Sequence, residues 1–333
     1  MAMFKVMDKL EKSPVMMRDA YCTALMDLAT ENDNIVALDA DLVSSSGMKP
    51  FFNAFPERAI NVGIAEANMV GIAAGLSAVG KIPFVHSFGC FATRKTCDQV
   101  MISAAYAKLN VKILGSDPGV TAAYNGGTHM PFEDIGVMRS IPQITIIEMT
   151  DPAMVSDIVR QVAEDYGVHY LRMPRKNVTG IYEPGSTFEI GKGNILRDGD
   201  DVTVIAGGIM VAEALRAAAR LKDEGISVRV VDMFTIKPVD TDLIARCARE
   251  TRAIVTAENH NIYGGLGSAV AEALAKTVQA PVEMVGINDS FGQVGTEDWL
   301  RKEYNLTEGE ICDAVRRVLQ RKKRKFLWFT IDN

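Results

Sequence analysis

Asn61–Ser77 reads NVGIAEANMVGIAAGLS, and just beyond it Gly80–Arg94 reads GKIPFVHSFGCFATR. In the first stretch a helix-length run opens on Glu66, whose carboxylate sits where a helix N-terminus favours negative charge. Gly71, Gly75 and Ser77 interrupt the apolar run Met69–Val79, which reads as a buried helix rather than a membrane span. The second stretch opens on a strand, Ile82–His86, and then turns polar. The same rhythm extends in both directions. Strands are expected at Ile35–Asp39, Ala59–Val62, Val111–Gly115, Ile144–Glu148 and His169–Arg172. Helices fit between them at Met16–Thr30, Glu66–Ala78, Thr96–Lys108 and Pro152–Glu164, the last with Asp151 as N-cap and Pro152 at its first position. Strands alternating with helices predict an α/β, doubly wound, mostly parallel sheet covered on both faces.

The rhythm stops between Arg172 and Asp201, a stretch rich in Gly, Pro and Asp with room for one hairpin, and a second α/β series follows. Its strands are Val202–Ala206, Val228–Val231, Ala253–Ala257 and Val282–Val285. Its helices are Met210–Asp223, Asp240–Glu250, Ser268–Lys276 and Glu310–Leu319. The expectation is a first domain over 1–180, a linker over 181–201, a second domain over 202–322 and a tail over 323–333. The tail, with its basic cluster and FLWF, reads as a solvated helix end plus a peripheral segment. At 333 residues the chain can hold two cores. A net charge of −6 argues against general nucleic-acid binding, which needs a basic face. Five dispersed cysteines without CxxC spacing suit a reducing cytoplasm, and the N-terminal stretch has no signal-peptide core.

A Walker loop, a GxGxxG after a first strand, a GxSxG elbow and histidine metal spacing are all absent from the sequence. Tyr263–Ser268 (YGGLGS) lies between a strand and a helix, where amides could receive an anion, but tight loop packing is the favoured reading. What remains are polar segments at the C-terminal ends of strands, where open α/β sheets place ligands. They are Asp39–Ser46 (DADLVSSS), Asn61–Met69, Phe88–Arg94 and Gly115–Asp134 (GSDPGVTAAYNGGTHMPFED). Taken singly, Glu66 could be a helix-start carboxylate, Phe88 and Phe91 core residues, and His129 a hydrogen-bonded loop residue.

Together, in this order, the segments resemble the pyrimidine-binding domain of transketolases. The second series, including ENHNIYGGLGSAVAEAL, resembles that family's C-terminal domain, so the resemblance covers nearly the whole chain. It implies a thiamine-diphosphate enzyme that transfers a two-carbon ketol unit between a ketose and an aldose. Glu66 would hydrogen-bond the cofactor's aminopyrimidine and promote its imino tautomer, with Phe91 stacking on the ring and Phe88 beside it. Asp41 corresponds to a carboxylate near the thiazolium side. His129 matches the histidine at the transferred unit, and Arg18, Ser45 and Arg172 align with a cluster for the sugar-phosphate end.

Two departures bear on the substrate. Asp117 stands where common transketolases have a histidine, and Asn125 stands where they have an acidic residue. A carboxylate near a phosphate site would repel it, so the sugar is expected to differ from the ordinary pentose phosphates: another anionic group, a modification, or no phosphate. Arg94–Gln99 (RKTCDQ) is also one residue longer than its counterpart. The family's Mg²⁺-binding Gly-Asp-Gly is missing, and Arg197–Asp201 (RDGDD) reads as a turn, leaving no metal ligands on this chain. The resemblance therefore implies a partner subunit carrying the diphosphate-binding domain and Mg²⁺ site, in a two-fold heterotetramer. Two other readings stay open. One is the β subunit of a 2-oxoacid dehydrogenase first component or a deoxyxylulose-phosphate-synthase-like enzyme. The other is a non-catalytic scaffold relative.

Overall fold

The computed structural model describes residues 2–329, with the backbone alone from 324 onward. Six strands, β1 (Ile35–Asp39), β2 (Ala59–Asn61), β3 (Ile82–Phe88), β4 (Lys112–Ser116), β5 (Ile144–Glu148) and β6 (Val168–Met173), form a parallel sheet in the order β5-β6-β4-β3-β1-β2. Its strands alternate strictly between two cores. Ile35, Ala37, Phe84, Leu114, Ile147 and Leu171 face the helices Met17–Glu31 and Pro152–Glu164. Val36, Leu38, Val85, Ile113, Ile146 and Tyr170 face the helix Glu66–Ala78 and its neighbours. This period of two, apolar on both faces, is what a doubly covered sheet requires.

Five further strands, β7 (Asn194–Arg197), β8 (Val202–Ala206), β9 (Val228–Asp232), β11 (Ile254–Asn261) and β12 (Val282–Ile287), make the second sheet in the order β12-β11-β8-β9-β7. The remaining strand, β10 (Thr235–Lys237), leaves the second series and pairs antiparallel with β5 on the first sheet. Sequence reading missed β10, because three residues carry no period and only the exposed edge of β5 makes them a strand. Likewise β7 falls within the stretch read as linker, where it pairs antiparallel with β9.

Where one helix was expected over Thr96–Lys108, an α turn at Cys97–Gln99 passes into a π-helix at Val100–Tyr106. A π turn takes up one residue more than an α turn, so this segment is wound more widely than the expected helix. The helix Glu308–Phe329 carries on through most of the stretch read as tail, and residues 330–333 lie outside the described residues. Among the described residues no helix is long and apolar enough to cross a membrane. The C-terminal ends of β1, β2, β3 and β4 open on one edge of the first sheet, and the site is built there.

Candidate active site

Beyond β2 the chain reverses at Gly63, whose positive φ of 72° suits a residue without Cβ, and Glu66 begins the next helix. The Asn61 side chain fixes this turn: its Oδ1 accepts from Gly63 N (3.0 Å) and Asp41 N (3.1 Å), and its Nδ2 donates to Asp41 Oδ1 (3.3 Å). Asp41 is exposed beside the turn. Glu66 is 4% exposed. Lys95 Nζ lies 3.2 Å from each of its carboxylate oxygens and 4.3 Å from the centroid of Phe91. Sequence reading passed over Lys95, although it lies within the RKTCDQ stretch singled out as a departure.

Phe88 ends β3 and Phe91 sits in the short helix Gly89–Thr93, so the two rings come within 6.1 Å. His129 stands edge-on to both, 5.7 Å from Phe88 and 5.1 Å from Phe91. Its Nδ1 meets Thr128 Oγ1 at 3.0 Å. Arg94 supports the loop, donating to Thr128 O (3.0 Å) and pairing with Glu133 (3.0 Å). Asn125 is exposed on the same loop.

A cationic end adjoins Phe88. Arg175, which sequence reading did not select, places its guanidinium carbon 4.8 Å from the Phe88 centroid. Asp117 accepts from Arg175 N (3.1 Å) and Nε (2.5 Å). Asp117 is 2% exposed, so its carboxylate is shielded from solvent beside Arg175. Burial pushes its carboxyl up, and Arg175 opposes the shift. Arg18 is tied alongside: its N–H donates to Arg175 O (3.2 Å) and its Nη1 to Ser45 O (3.3 Å).

Arg172 does not belong to this cluster. Its side chain is fully buried, with Nε donating to Asp134 Oδ2 (2.7 Å), Nη2 to Asn259 O (2.8 Å) and Nη1 to Glu148. The reason is strand alternation. Arg172 lies within β6 and points into the interdomain core, whereas Arg175 follows Pro174, past the strand end. The YGGLGS segment is not an anion site either, since the Leu266 and Gly267 amides donate to Glu258 at 2.7 and 2.8 Å. RDGDD is a turn: Asp198 pairs with Arg229 (2.7 Å), and Asp201 accepts from Ser227 N (2.8 Å).

Residues 13–180 match the family model of the transketolase pyrimidine-binding domain, and residues 191–311 match that of the transketolase C-terminal domain. The chain belongs to the transketolase family. It is similar to the 6-deoxy-6-sulfo-D-fructose transketolase subunit SqwH of Clostridium sp. (strain MSTE9), at 49% identity over 92% of this chain and 95% of that one. An apulose-4-phosphate transketolase subunit of Phocaeicola vulgatus is 36% identical over 90% of this chain and 96% of its own length. Among solved structures, a split-gene transketolase described as an inactive β4 tetramer superposes with a TM-score of 0.85. It is 44% identical, covering 92% of this chain and 99% of that one. This transketolase chain is thus a subunit of a split transferase whose family uses thiamine diphosphate.

The donor set fits that cofactor's pyrimidine. Lys95 touches the Glu66 carboxylate and the Phe91 face at once, so one point satisfies both a hydrogen bond to Glu66 and stacking on Phe91. A flat nitrogen heterocycle needs that combination. Thiamine diphosphate, when bound, supplies the carbanion chemistry. At this point the subunit presents a buried carboxylate, two aromatic rings and an imidazole beside them. No His, Cys, Asp or Glu cluster among the described residues could hold a metal ion.

Proposed function

We propose that this subunit supplies the pyrimidine-binding half of a transketolase active site and moves a two-carbon unit between sugars that end in an anionic group. The packing of His129, and of Lys95 bound to Glu66, against the same Phe91 ring carries this reading. Glu66 exchanges a proton with the aminopyrimidine and Phe91 stacks on it, with Phe88 alongside and Asp41 on the thiazolium side. His129 serves the hydroxyls of the transferred unit, and Asn125 a further hydroxyl. Arg175, with Arg18 and Ser45, receives the anionic end. Asp117 lowers the net charge of that end, which suits a singly charged sulfonate, the group named in the Clostridium relative, better than a doubly charged phosphate.

The diphosphate and Mg²⁺ are assigned to an N-terminal partner subunit, with two copies of each chain making a heterotetramer. The reducing cytoplasm is the assigned compartment, in keeping with the free cysteines. The decisive experiment measures ketol transfer with thiamine diphosphate and Mg²⁺, for this chain alone and mixed with its partner, over sulfonated and phosphorylated ketoses. Transfer only in the mixture, abolished by Glu66→Ala, is expected. Transfer by the chain alone, or oxidative decarboxylation of a 2-oxoacid instead, would refute the proposal.

A further inference from the structure

The loop from Ser116 to Phe132 carries Asp117, Asn125 and His129, yet it has little regular structure of its own. It consists of two 3₁₀ turns, with Ala123 at φ 48° and ψ −117° inside the first. Such a backbone keeps one conformation only if its surroundings over-determine it. Its two ends are tied by Gly119 N donating to Pro131 O at 3.2 Å. Arg94 holds its Thr128 end, and the second domain supports it through the ENHN segment at the end of β11.

Asn259 is 1% exposed and spends its whole side-chain amide on this loop. Its Oδ1 accepts from Val120 N at 3.0 Å, and its Nδ2 donates to Pro118 O at 2.9 Å. Gly119, between those two residues, has φ +54°, and a Cβ there would fall 2.1 Å from Asn259 Oδ1. The Asn259 backbone is itself anchored, its carbonyl accepting from Arg172 Nη2 at 2.8 Å. The neighbours in the segment point elsewhere. Glu258 accepts from the Leu266 and Gly267 amides that open the helix Leu266–Lys276, and His260 Nε2 accepts from Gly136 N at 3.4 Å. A second contact closes the far side of the loop, where Gly127 lies against the backbone of Gly292.

We propose that Asn259 is a positioning residue for ketol transfer. Through paired hydrogen bonds to Pro118 and Val120 it sets the loop that holds Asp117 against Arg175 at one end and His129 against Phe91 at the other. The C-terminal domain thereby shapes the substrate end of the site without touching Glu66. This rests on the assignment of that loop to the substrate.

The test assembles this chain with its partner, thiamine diphosphate and Mg²⁺. It measures kcat and KM for the ketose and, in the same samples, the cofactor Kd, well below each variant's melting temperature. Asn259→Ala is expected to lower ketose kcat/KM on the order of 100-fold, with loss in both KM and kcat, while the cofactor Kd stays within about twofold. Asn259→Asp keeps the volume and the acceptor for Val120 N–H but turns an oxygen onto the Pro118 carbonyl. It is expected to lose kcat/KM as well, and it keeps the question open to measurement if the alanine variant does not fold. A kcat/KM close to the parent's in the aspartate variant would overturn the proposal. So would a cofactor Kd that weakens in step with kcat/KM, which marks a general structural role. A parent assembly that transfers no ketol unit at all would overturn the substrate reading and this inference with it.

Discussion

Lys95 makes the most consequential single contact in the site, because its ammonium fills the point that Glu66 and Phe91 share. A half-exposed ion pair contributes up to about 1 kcal/mol, and a cation over an aromatic face adds about 0.5–1 kcal/mol. A heterocycle binding there must displace both. Lys95→Ala should therefore tighten the cofactor Kd of the assembled enzyme by roughly tenfold, measured by calorimetry; weaker binding would show that Lys95 supports the cofactor instead. Asp117 acts at the other end. Asp117→Asn removes a buried negative charge beside Arg175 and should shift the kcat/KM ratio towards phosphorylated over sulfonated ketoses. An equal loss for both substrates would mean that Asp117 only orients Arg175. Both residues show how far sequence reading reached. Asp117 was visible as a departure, but Arg175 and Lys95 were not, since what selects them is their position over Phe88 and Phe91.

At the level of elements, Asp151 does two jobs that the sequence announced only in part. As N-cap of Pro152–Glu164 it accepts from Met154 N at 3.1 Å, as the Asp-Pro pair predicted. Its other oxygen accepts from Ile181 N (2.7 Å) and Tyr182 N (2.8 Å), fastening the connecting segment to the first domain. A lost cap costs about 1 kcal/mol, and each buried N–H left unpaired costs about 1–3 kcal/mol. Asp151→Ala should thus destabilise the chain by about 3–7 kcal/mol, read from urea unfolding. A loss of only about 1 kcal/mol would mean that water replaces the second pair of bonds. The π-helix Val100–Tyr106 follows the same pattern. Periodicity identified a helix there, but the wider turn has no separate sequence signature.

Across the whole molecule the two domains meet over buried charge. Arg172 lies among Asp134, Glu148 and the Asn259 carbonyl, with Tyr170 donating to Asp134 at 2.7 Å and His260 Nε2 at 3.9 Å from it. Removing the Arg172 guanidinium would strand the carboxylates, so Arg172→Met should cost about 3–5 kcal/mol, measured by denaturant unfolding. Glu258 is buried nearby, and burial pushes its carboxyl up to about 8, with Glu148 adding to the shift and Arg172 opposing it. Its ordinary value is 4.5. The raised folded value means its stabilising contribution is complete below the unfolded pKa and is lost as pH rises through about 8. Melting temperature should fall across that window, and Glu258→Gln, which cannot titrate, should flatten the fall. An unchanged slope would assign the pH dependence to other groups, Asp232 first, since burial pushes it up to about 7.

The amino-acid sequence by itself determined the two α/β series, the polar strand ends that hold Glu66, Phe91 and His129, and the family. These rest on local periodicity and on motifs in order along the chain. Tertiary structure alone decided that Arg172 is core and Arg175 lies over Phe88, that Lys95 spans Glu66 and Phe91, and that Asn259 reaches across to Val120. Those depend on which way a strand end faces and on groups that meet only after the two sheets pack together, and neither is written in the spacing of neighbouring residues.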